Sequence, residues 1–266
     1  MMKSLFISLF ILLAASCKNG NNSQAQTAAD TANVSDIPAI GYQVINIYPH
    51  DSSSFTEGLF LLDGKMYESA GLNDKSKILV YDLATGKASQ TVILPKLFGE
   101  GISVTGNKLY QLTWKEHKVF VYDYPSLKRT GELSWPYEGW GMTTDGKNLI
   151  ISTGSSNLYY VDPADFKIVK TVNVSNNYGP LSNINELEYV DGFIYANVWE
   201  TDNIVKIDPA KGKVVGIMDL ANIRQKNGVP ATGDVLNGIA YDPAKKTLLI
   251  TGKDWPRIFE LKLSER

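Results

Sequence analysis

The feature that most constrains the fold of this chain is one short phrase that occurs five times along its 266 residues. The five copies are FTEGLFLLDGKMYESAG, FGEGISVTGNKLYQLTW, GWGMTTDGKNLIISTG, INELEYVDGFIYANVW and LNGIAYDPAKKTLLITGK. They share an aligned position, with spacings of 43, 40, 45 and 52 residues, that is occupied by Gly58, Gly101, Gly141, Glu186 and Gly238. A strand-rich repeat of this length is typical of a β-propeller, in which each repeat forms one blade.

Each repeat has the pattern of four strands joined by three turns. The hairpin turns inside the phrases carry strong turn signals: Asp63-Gly64, Gly106-Asn107, Asp145-Gly146 and Asp191-Gly192. In the first four copies the third strand ends in an aspartate that precedes a turn, and we interpret these as turn-capping residues: Asp82, Asp123, Asp162 and Asp208.

The two ends of the repeat region complement each other. The fifth copy stops after its third strand, at residues 258–263, whereas a strand at residues 42–48 precedes the first copy without a partner. If the N-terminal strand becomes the outer strand of the last blade, the ring closes and its free sheet edges disappear. The sequence therefore predicts an all-β fold, a five-bladed β-propeller of four-stranded blades, over residues 37–266.

One insertion interrupts the repeats, at residues 219–235. We expect a short helical turn at residues 220–225, followed by a loop. Insertions in repeat proteins often lie on the binding face, although a passive surface loop fits this segment equally well.

The N-terminal segment has the features of a targeting signal. Lys3 is followed by an apolar stretch at residues 5–15, too short to span a bilayer, and then by Cys17, the single cysteine of the chain. This pattern resembles a bacterial lipoprotein signal at residues 1–16, with Cys17 as the acylated residue; an ordinary secretory signal is the alternative. Residues 17–36 are polar and small and should form a flexible tether. We therefore expect a lipid-anchored protein of the cell envelope, periplasmic or associated with the outer membrane.

Bulk composition argues against several functional classes. The net charge of −2 and the lack of a basic stripe give no support for a nucleic-acid partner. Two histidines, His50 and His117, are too few for a multi-histidine metal site. The closed architecture leads us to expect a monomer.

Two alignment columns carry the candidate site residues. The residue before the shared position is Glu57, Glu100, Trp140, Asn185 or Asn237. Thirteen residues after the shared position, or two later in the longer fifth hairpin, come Gly71, Trp114, Gly154, Trp199 and Lys253. The first strand of each blade lines the channel and the second strand returns antiparallel to it, so both columns should meet at one mouth. Two phenylalanines that precede the carboxylates by two residues should point the same way: Phe55 and Phe98.

These columns suggest a ligand pocket because their residues differ from blade to blade. Any one tryptophan or glycine among them, taken alone, is better explained by blade packing than by function. Aromatic walls with a few polar groups suit a small organic ligand with a polar end. A glutamate in aromatic surroundings should have a raised pKa, which suits it to proton transfer near neutral pH. From the residues alone, the site is an aromatic pocket with one or two carboxylates suited to catalysis.

At these residues the chain resembles the glutamine cyclotransferase family of plants and bacteria. The matching stretches are FTEG, FGEG, GWGMTTDG, NELEYVDGFIYANVWETD, DVLNGIA and TGKDWP, which span residues 41–263. The resemblance implies a five-bladed propeller that converts the N-terminal glutamine of peptides or proteins to pyroglutamate and releases ammonia, without a cofactor or a metal ion.

The resemblance also implies residue roles. Glu100 would be the general acid/base, and Lys253 and Asn185 would bind or polarise the amide and peptide oxygens. The substrate-binding set, with an indole N–H available as a donor, would be Phe55, Phe98, Trp114, Trp140, Trp199 and Asn237. Glu57 departs from the glutamine of the plant enzymes, and our hypothesis is that it anchors the substrate α-ammonium.

Two other functional classes stay open at this point. One is a non-catalytic propeller lipoprotein that binds peptide termini or another small ligand. The other is a metal-dependent propeller lactonase, because the polar residues of the first column could imitate a calcium site: Glu57, Glu100, Asn185 and Asn237. The three tryptophans and Lys253 argue against a dication there.

Overall fold

The computed structural model describes residues 37–230 and 233–264. The predicted signal peptide, Cys17 and the predicted tether lie outside these residues. Among the described residues, no helix combines the length and the apolar character needed to cross a membrane.

Five sheets form the fold, and the ring closes as predicted. β1 (Gly41–Pro49) comes first in the chain. Blade one contains β2 (Thr56–Leu62), β3 (Lys65–Ala70), β4 (Lys77–Tyr81) and β5 (Ala88–Ile93). Blade two contains β6 (Gly99–Thr105), β7 (Lys108–Thr113), β8 (Lys118–Asp123) and β9 (Lys128–Ser134). Blade three contains β10 (Met142–Thr144), β11 (Leu149–Ile151), β12 (Asn157–Val161) and β13 (Ile168–Asn173).

The fourth blade carries an addition that the sequence analysis missed. Between blades three and four lie β14 (Ser175–Asn176) and β15 (Gly179–Pro180). Blade four itself contains β16 (Ile184–Val190), β17 (Phe193–Val198), β18 (Asn203–Asp208) and β19 (Lys213–Asp219). β14 joins the outer edge of β19 in parallel, with Ser175 opposite Lys213, so that this sheet has six strands.

The fifth blade uses both ends of the repeat region. The insertion forms a helical turn, α1 (Ile223–Lys226), a little later than predicted, and is followed by β20 (Leu236–Asp242), β21 (Thr247–Gly252) and β22 (Arg257–Ser264). β1 pairs antiparallel with β22, from Gly41 opposite Ser264 to Pro49 opposite Arg257. The predicted closure by the N-terminal strand is therefore confirmed.

Three of the four recurring aspartates cap their turns as expected. Asp82, Asp162 and Asp208 each accept a hydrogen bond at Oδ1 from a backbone N–H two or three residues later, at 2.8–3.1 Å. At Asp123 the backbone carbonyl accepts from Leu127 N at 2.8 Å. These residues shape the turns between the third and fourth strands of their blades.

The glycine column lies where neighbouring first strands touch at the propeller axis. Gly101 N donates to the Trp140 carbonyl at 2.7 Å, and a Cβ atom on Gly101 would meet Met142 N at 2.5 Å. Only a residue without a side chain permits this approach. In the fourth blade the equivalent residue is Glu186, whose buried side chain accepts from Leu59 N at 3.2 Å and Ile239 N at 2.8 Å. Glu186 thus fills the axis and ties blade four to blades one and five.

Candidate active site

A cavity of about 460 Å³ opens at the end of the channel where the two columns meet. Its lining includes nine of the ten predicted catalytic and substrate-binding residues: Phe55, Glu57, Phe98, Glu100, Trp114, Trp140, Asn185, Trp199 and Lys253. The rest of the lining is Glu200, Asp234 and Val235. Since the last two belong to the insertion, that segment does contribute to the cavity.

Hairpin pairing brings the two columns together. Each second-column residue lies just beyond a second strand, opposite the start of a first strand. Gly71 N donates to the Phe55 carbonyl at 2.7 Å, and Trp114 N donates to the Phe98 carbonyl at 3.1 Å. Lys253 N donates in the same way to the Val235 carbonyl at 3.0 Å. One end of five separate blades therefore supplies one site.

The glycines of the second column make room for aromatic rings. A Cβ atom on Gly154 would lie 2.6 Å from the Trp140 ring, and one on Gly71 would collide with the Phe98 ring. The alternation of glycine with tryptophan in this column is thus a packing relationship, in which a ring from the first strands occupies the space above each glycine.

Two carboxyl groups share the floor of the cavity. The residues Glu57 and Glu100 are 2% and 5% exposed, and their carboxyl groups hydrogen-bond to each other. Burial raises the pKa of Glu57 to about 7, although Lys253 opposes this shift. Burial, and next the charge of Glu57, raise the pKa of Glu100 well above its ordinary value. Glu57 therefore ionises before Glu100, which keeps its proton to higher pH.

Glu57 is held by two neighbours. Lys253 Nζ donates to Glu57 Oε1 at 2.6 Å, and Asn237 Nδ2 donates to Glu57 Oε2 at 3.3 Å and to the Thr56 carbonyl at 2.9 Å. Asn237 is fully buried and is not part of the cavity lining, so it acts on the site through Glu57. Lys253 occupies the place beside Glu57 that our hypothesis gave to a substrate ammonium, and its positive charge disfavours a metal ion there.

The cavity walls are aromatic rings in contact. Phe98 lies edge-on to Phe55 with ring centres 6.2 Å apart, and 5.4 Å from Trp114. Trp140 and Trp199 meet edge-to-face at 5.6 Å. Such arrangements favour a fixed relative orientation of the rings.

Two of the three indole N–H groups already have an acceptor. Trp114 Nε1 and Trp140 Nε1 donate to Glu138 Oε2 at 2.9 and 3.3 Å. Within the described part of the chain, the N–H of Trp199 has no acceptor. The indole donor expected to face a substrate is therefore that of Trp199.

Asn185 offers an unsatisfied polar group. The residue is 3% exposed and lines the cavity, and its Oδ1 atom is buried without a hydrogen-bond partner among residues 37–230 and 233–264. Because buried polar atoms are nearly always paired in folded proteins, this amide is a candidate for contact with a ligand.

Fold and site together define a class: five-bladed propellers with an aromatic cavity that has a buried glutamate, Glu100, on its floor. The glutamine cyclotransferase family model matches residues 12–263, and the chain belongs to this family.

Two relatives show how far the similarity extends. The chain is 37% identical over 233 residues to an Arabidopsis thaliana protein named glutaminyl-peptide cyclotransferase, a match that covers 84% of this chain and 71% of the relative. The crystal structure of Myxococcus xanthus glutaminyl cyclase superposes with a TM-score of 0.79 at 34% identity. That alignment covers 85% of this chain and 98% of the Myxococcus chain.

Proposed function

We propose that this protein is a glutaminyl-peptide cyclotransferase, which converts the N-terminal glutamine of peptides and proteins to pyroglutamate and releases ammonia. The observation that carries this proposal is the buried pair of Glu57 and Glu100 on the floor of an aromatic cavity. The names of the relatives agree with it.

In the proposed reaction, the substrate α-amine attacks the side-chain amide carbon of the same glutamine. A new C–N bond closes the five-membered ring, and the bond to the amide nitrogen breaks. Glu57 takes the proton that the amine loses, and Glu100 gives its proton to the departing nitrogen, so that ammonia leaves. Proton exchange across the bond between the two carboxyl groups restores the resting pair.

The other lining residues bind and orient the substrate. The Trp199 N–H is a donor available to the amide carbonyl oxygen, where negative charge develops. The unpaired Asn185 Oδ1 can accept a hydrogen bond from a substrate N–H. The aromatic walls hold the folded conformer in which the amine faces the amide, which supplies proximity. Lys253 keeps Glu57 ionised beside a neutral Glu100.

The test is ammonia release from the purified protein incubated with a Gln-initiated peptide and a chelator, with the matching loss of peptide mass. An N-acetylated copy of the peptide is the substrate control, because its blocked amine cannot attack. We expect turnover that survives the chelator and is lost in Glu100→Gln. Absence of turnover by folded wild-type protein would favour a non-catalytic binding propeller, and turnover lost only to the chelator would favour a metal-dependent reaction.

We further propose that the protein acts as a monomer at the cell envelope, held to the membrane by acylation of Cys17. The support is the N-terminal sequence pattern for the anchor and the closed ring of blades for the monomer. Cys17→Ser should lose incorporation of labelled fatty acid and leave the membrane fraction, and label retained by the variant would contradict the proposal.

A further inference from the structure

Three indole N–H groups donate hydrogen bonds to a single residue, Glu138, which lies in the connection between blades two and three. Its Oε2 atom accepts from Trp114 Nε1 at 2.9 Å and from Trp140 Nε1 at 3.3 Å. Its backbone carbonyl accepts from Trp135 Nε1 at 3.2 Å. Trp114 and Trp140 come from different blades, so one carboxylate links two walls of the cavity.

The backbone around Glu138 is fixed, so the carboxylate has a defined position. Trp135 is 1% exposed and anchors the start of this connection. Gly139 N lies within hydrogen-bond distance of the Thr113 and Trp114 carbonyls, at 3.2 and 3.0 Å. A Cβ atom on Gly139 would meet the Thr113 carbonyl oxygen at 2.5 Å, so this close contact requires glycine.

A cation completes the arrangement on its outer side. Lys115 Nζ lies 3.9 Å from Glu138 Oε1 and 3.8 Å from the centre of the Trp114 ring. Both charged side chains are partly exposed, at 59% for Lys115 and 41% for Glu138, so the ion pair itself contributes little. The hydrogen bonds from the two indoles are the stronger restraint, because they end on a charged acceptor.

We propose that Glu138 is a positioning residue of the active site, which holds the Trp114 and Trp140 indoles in one relative orientation and so shapes the walls that receive the substrate glutamine. Both indoles direct their N–H groups to Glu138 while their residues line the cavity. The rings also contact other aromatic side chains, but among the described residues only Glu138 accepts hydrogen bonds from both indoles. This inference rests on the proposed cyclotransferase activity.

The test compares Glu138→Ala with Glu138→Gln. The glutamine carbonyl oxygen can still accept from both indoles, whereas alanine cannot. We expect KM for a Gln-initiated peptide to rise about tenfold in Glu138→Ala with a smaller change in kcat, because walls bind the ground state and the transition state alike. Glu138→Gln should restore KM to within about twofold of the wild type. Glu132→Ala is the matched control, since Glu132 is a surface glutamate of blade two paired with Lys118 and Arg129.

Near-ultraviolet circular dichroism gives a second measurement that does not depend on activity. The tryptophan bands should change in Glu138→Ala, stay close to wild type in Glu138→Gln and not change in Glu132→Ala. An unchanged KM together with unchanged tryptophan bands in Glu138→Ala would overturn the positioning role. If the wild type released no ammonia while the tryptophan bands behaved as expected, the proposed reaction would fail and the link between the two walls would stand.

Discussion

Lys253 Nζ lies 2.6 Å from Glu57 Oε1, and both side chains are almost completely removed from water. A buried carboxyl group next to a second one would ordinarily stay neutral. The ammonium group offsets part of that tendency, so that Glu57 ionises near neutral pH while Glu100 keeps a proton. The two glutamates come from equivalent positions of neighbouring blades, and Lys253, which lowers the pKa of both, makes its 2.6 Å contact with Glu57.

The Lys253–Glu57 pair should be energetically coupled. Lys253→Met leaves Glu57 without its counter-charge, and we expect a loss of about 3 kcal/mol in the free energy of unfolding at neutral pH. The double variant with Glu57→Gln should lose less than the sum of the single variants, which urea unfolding of all four proteins measures. Strictly additive losses would show that the two side chains do not interact.

The pH profile of kcat should report the carboxyl pair. Activity should rise with pH as Glu57 ionises, near its pKa of about 7, and fall at higher pH as Glu100 loses its proton. Glu57→Gln removes the base of the proposed reaction and should lower kcat. In the remaining activity the negative charge that raises the pKa of Glu100 is absent, so the alkaline limb should move to lower pH. Glu132→Gln serves as the control, and an alkaline limb that stayed in place in Glu57→Gln would contradict this assignment.

The space beside Gly154 that the Trp140 ring occupies should matter for activity. Gly154 has φ +72°, and a Cβ atom there would meet the Trp140 ring at 2.6 Å, whereas Gly146 has φ +86° and open space around it. Both alanine variants carry a similar backbone strain, of about 1 kcal/mol. Only Gly154→Ala should also displace a cavity wall, so we expect about a tenfold larger fall in kcat/KM than for Gly146→Ala. Equal kcat/KM values for the two variants would show that the position of the Trp140 ring does not affect catalysis.

A buried ion pair joins the closing strand to blade one and should make stability depend on pH. His50 follows β1, and its Nδ1 bonds to the Trp255 carbonyl at 2.6 Å while Nε2 lies 3.0 Å from Glu68 Oε2. Two acceptors require both ring nitrogens to carry protons. Burial alone would lower the pKa of His50, but the charge of Glu68 and the hydrogen bonds to Glu68 and the Trp255 carbonyl together raise that pKa. Burial alone would raise the pKa of Glu68, but His50 and the hydrogen bonds to this carboxyl group lower it.

The stabilising contribution of this pair should therefore be complete between pH 4.5 and 6.5, the ordinary pKa values of the two groups. It should decline as the pH rises through the raised pKa of His50, or falls through the lowered pKa of Glu68. The difference in unfolding free energy between the wild type and Glu68→Gln, measured by urea unfolding across this range, tests the point. A difference that increased with pH above 6.5 would contradict the prediction, because the contribution of the pair should decline as His50 loses its proton.

The repeats explain why so much was predictable. Equivalent positions in a repeat lie at equivalent heights, so Glu57, Glu100 and Asn185 could be brought together from an alignment of the chain with itself. The short strands of β14 and β15 have too few residues to show a period. Glu138 lies in a connection between blades, outside both columns, and nothing in the local sequence indicates that two indoles converge on it. Asn237 belongs to the first column, but its hydrogen bond to Glu57 depends on side-chain packing, which an alignment of the repeats does not show.

The pairing of β1 with β22 sets the order in which the protein can be completed. β1 is synthesised before every other strand of the ring, yet the strand it pairs with is the last, with Gly41 opposite Ser264. During synthesis the first four blades can form from neighbouring segments, while β1 waits as an unpaired edge. Closing so long a loop is slow because of its large entropic cost. Lys253, in the last blade, is thus joined to Glu57, in the first, only when the last blade forms, and a newly made chain acquires the counter-charge of its carboxyl pair at the end of folding.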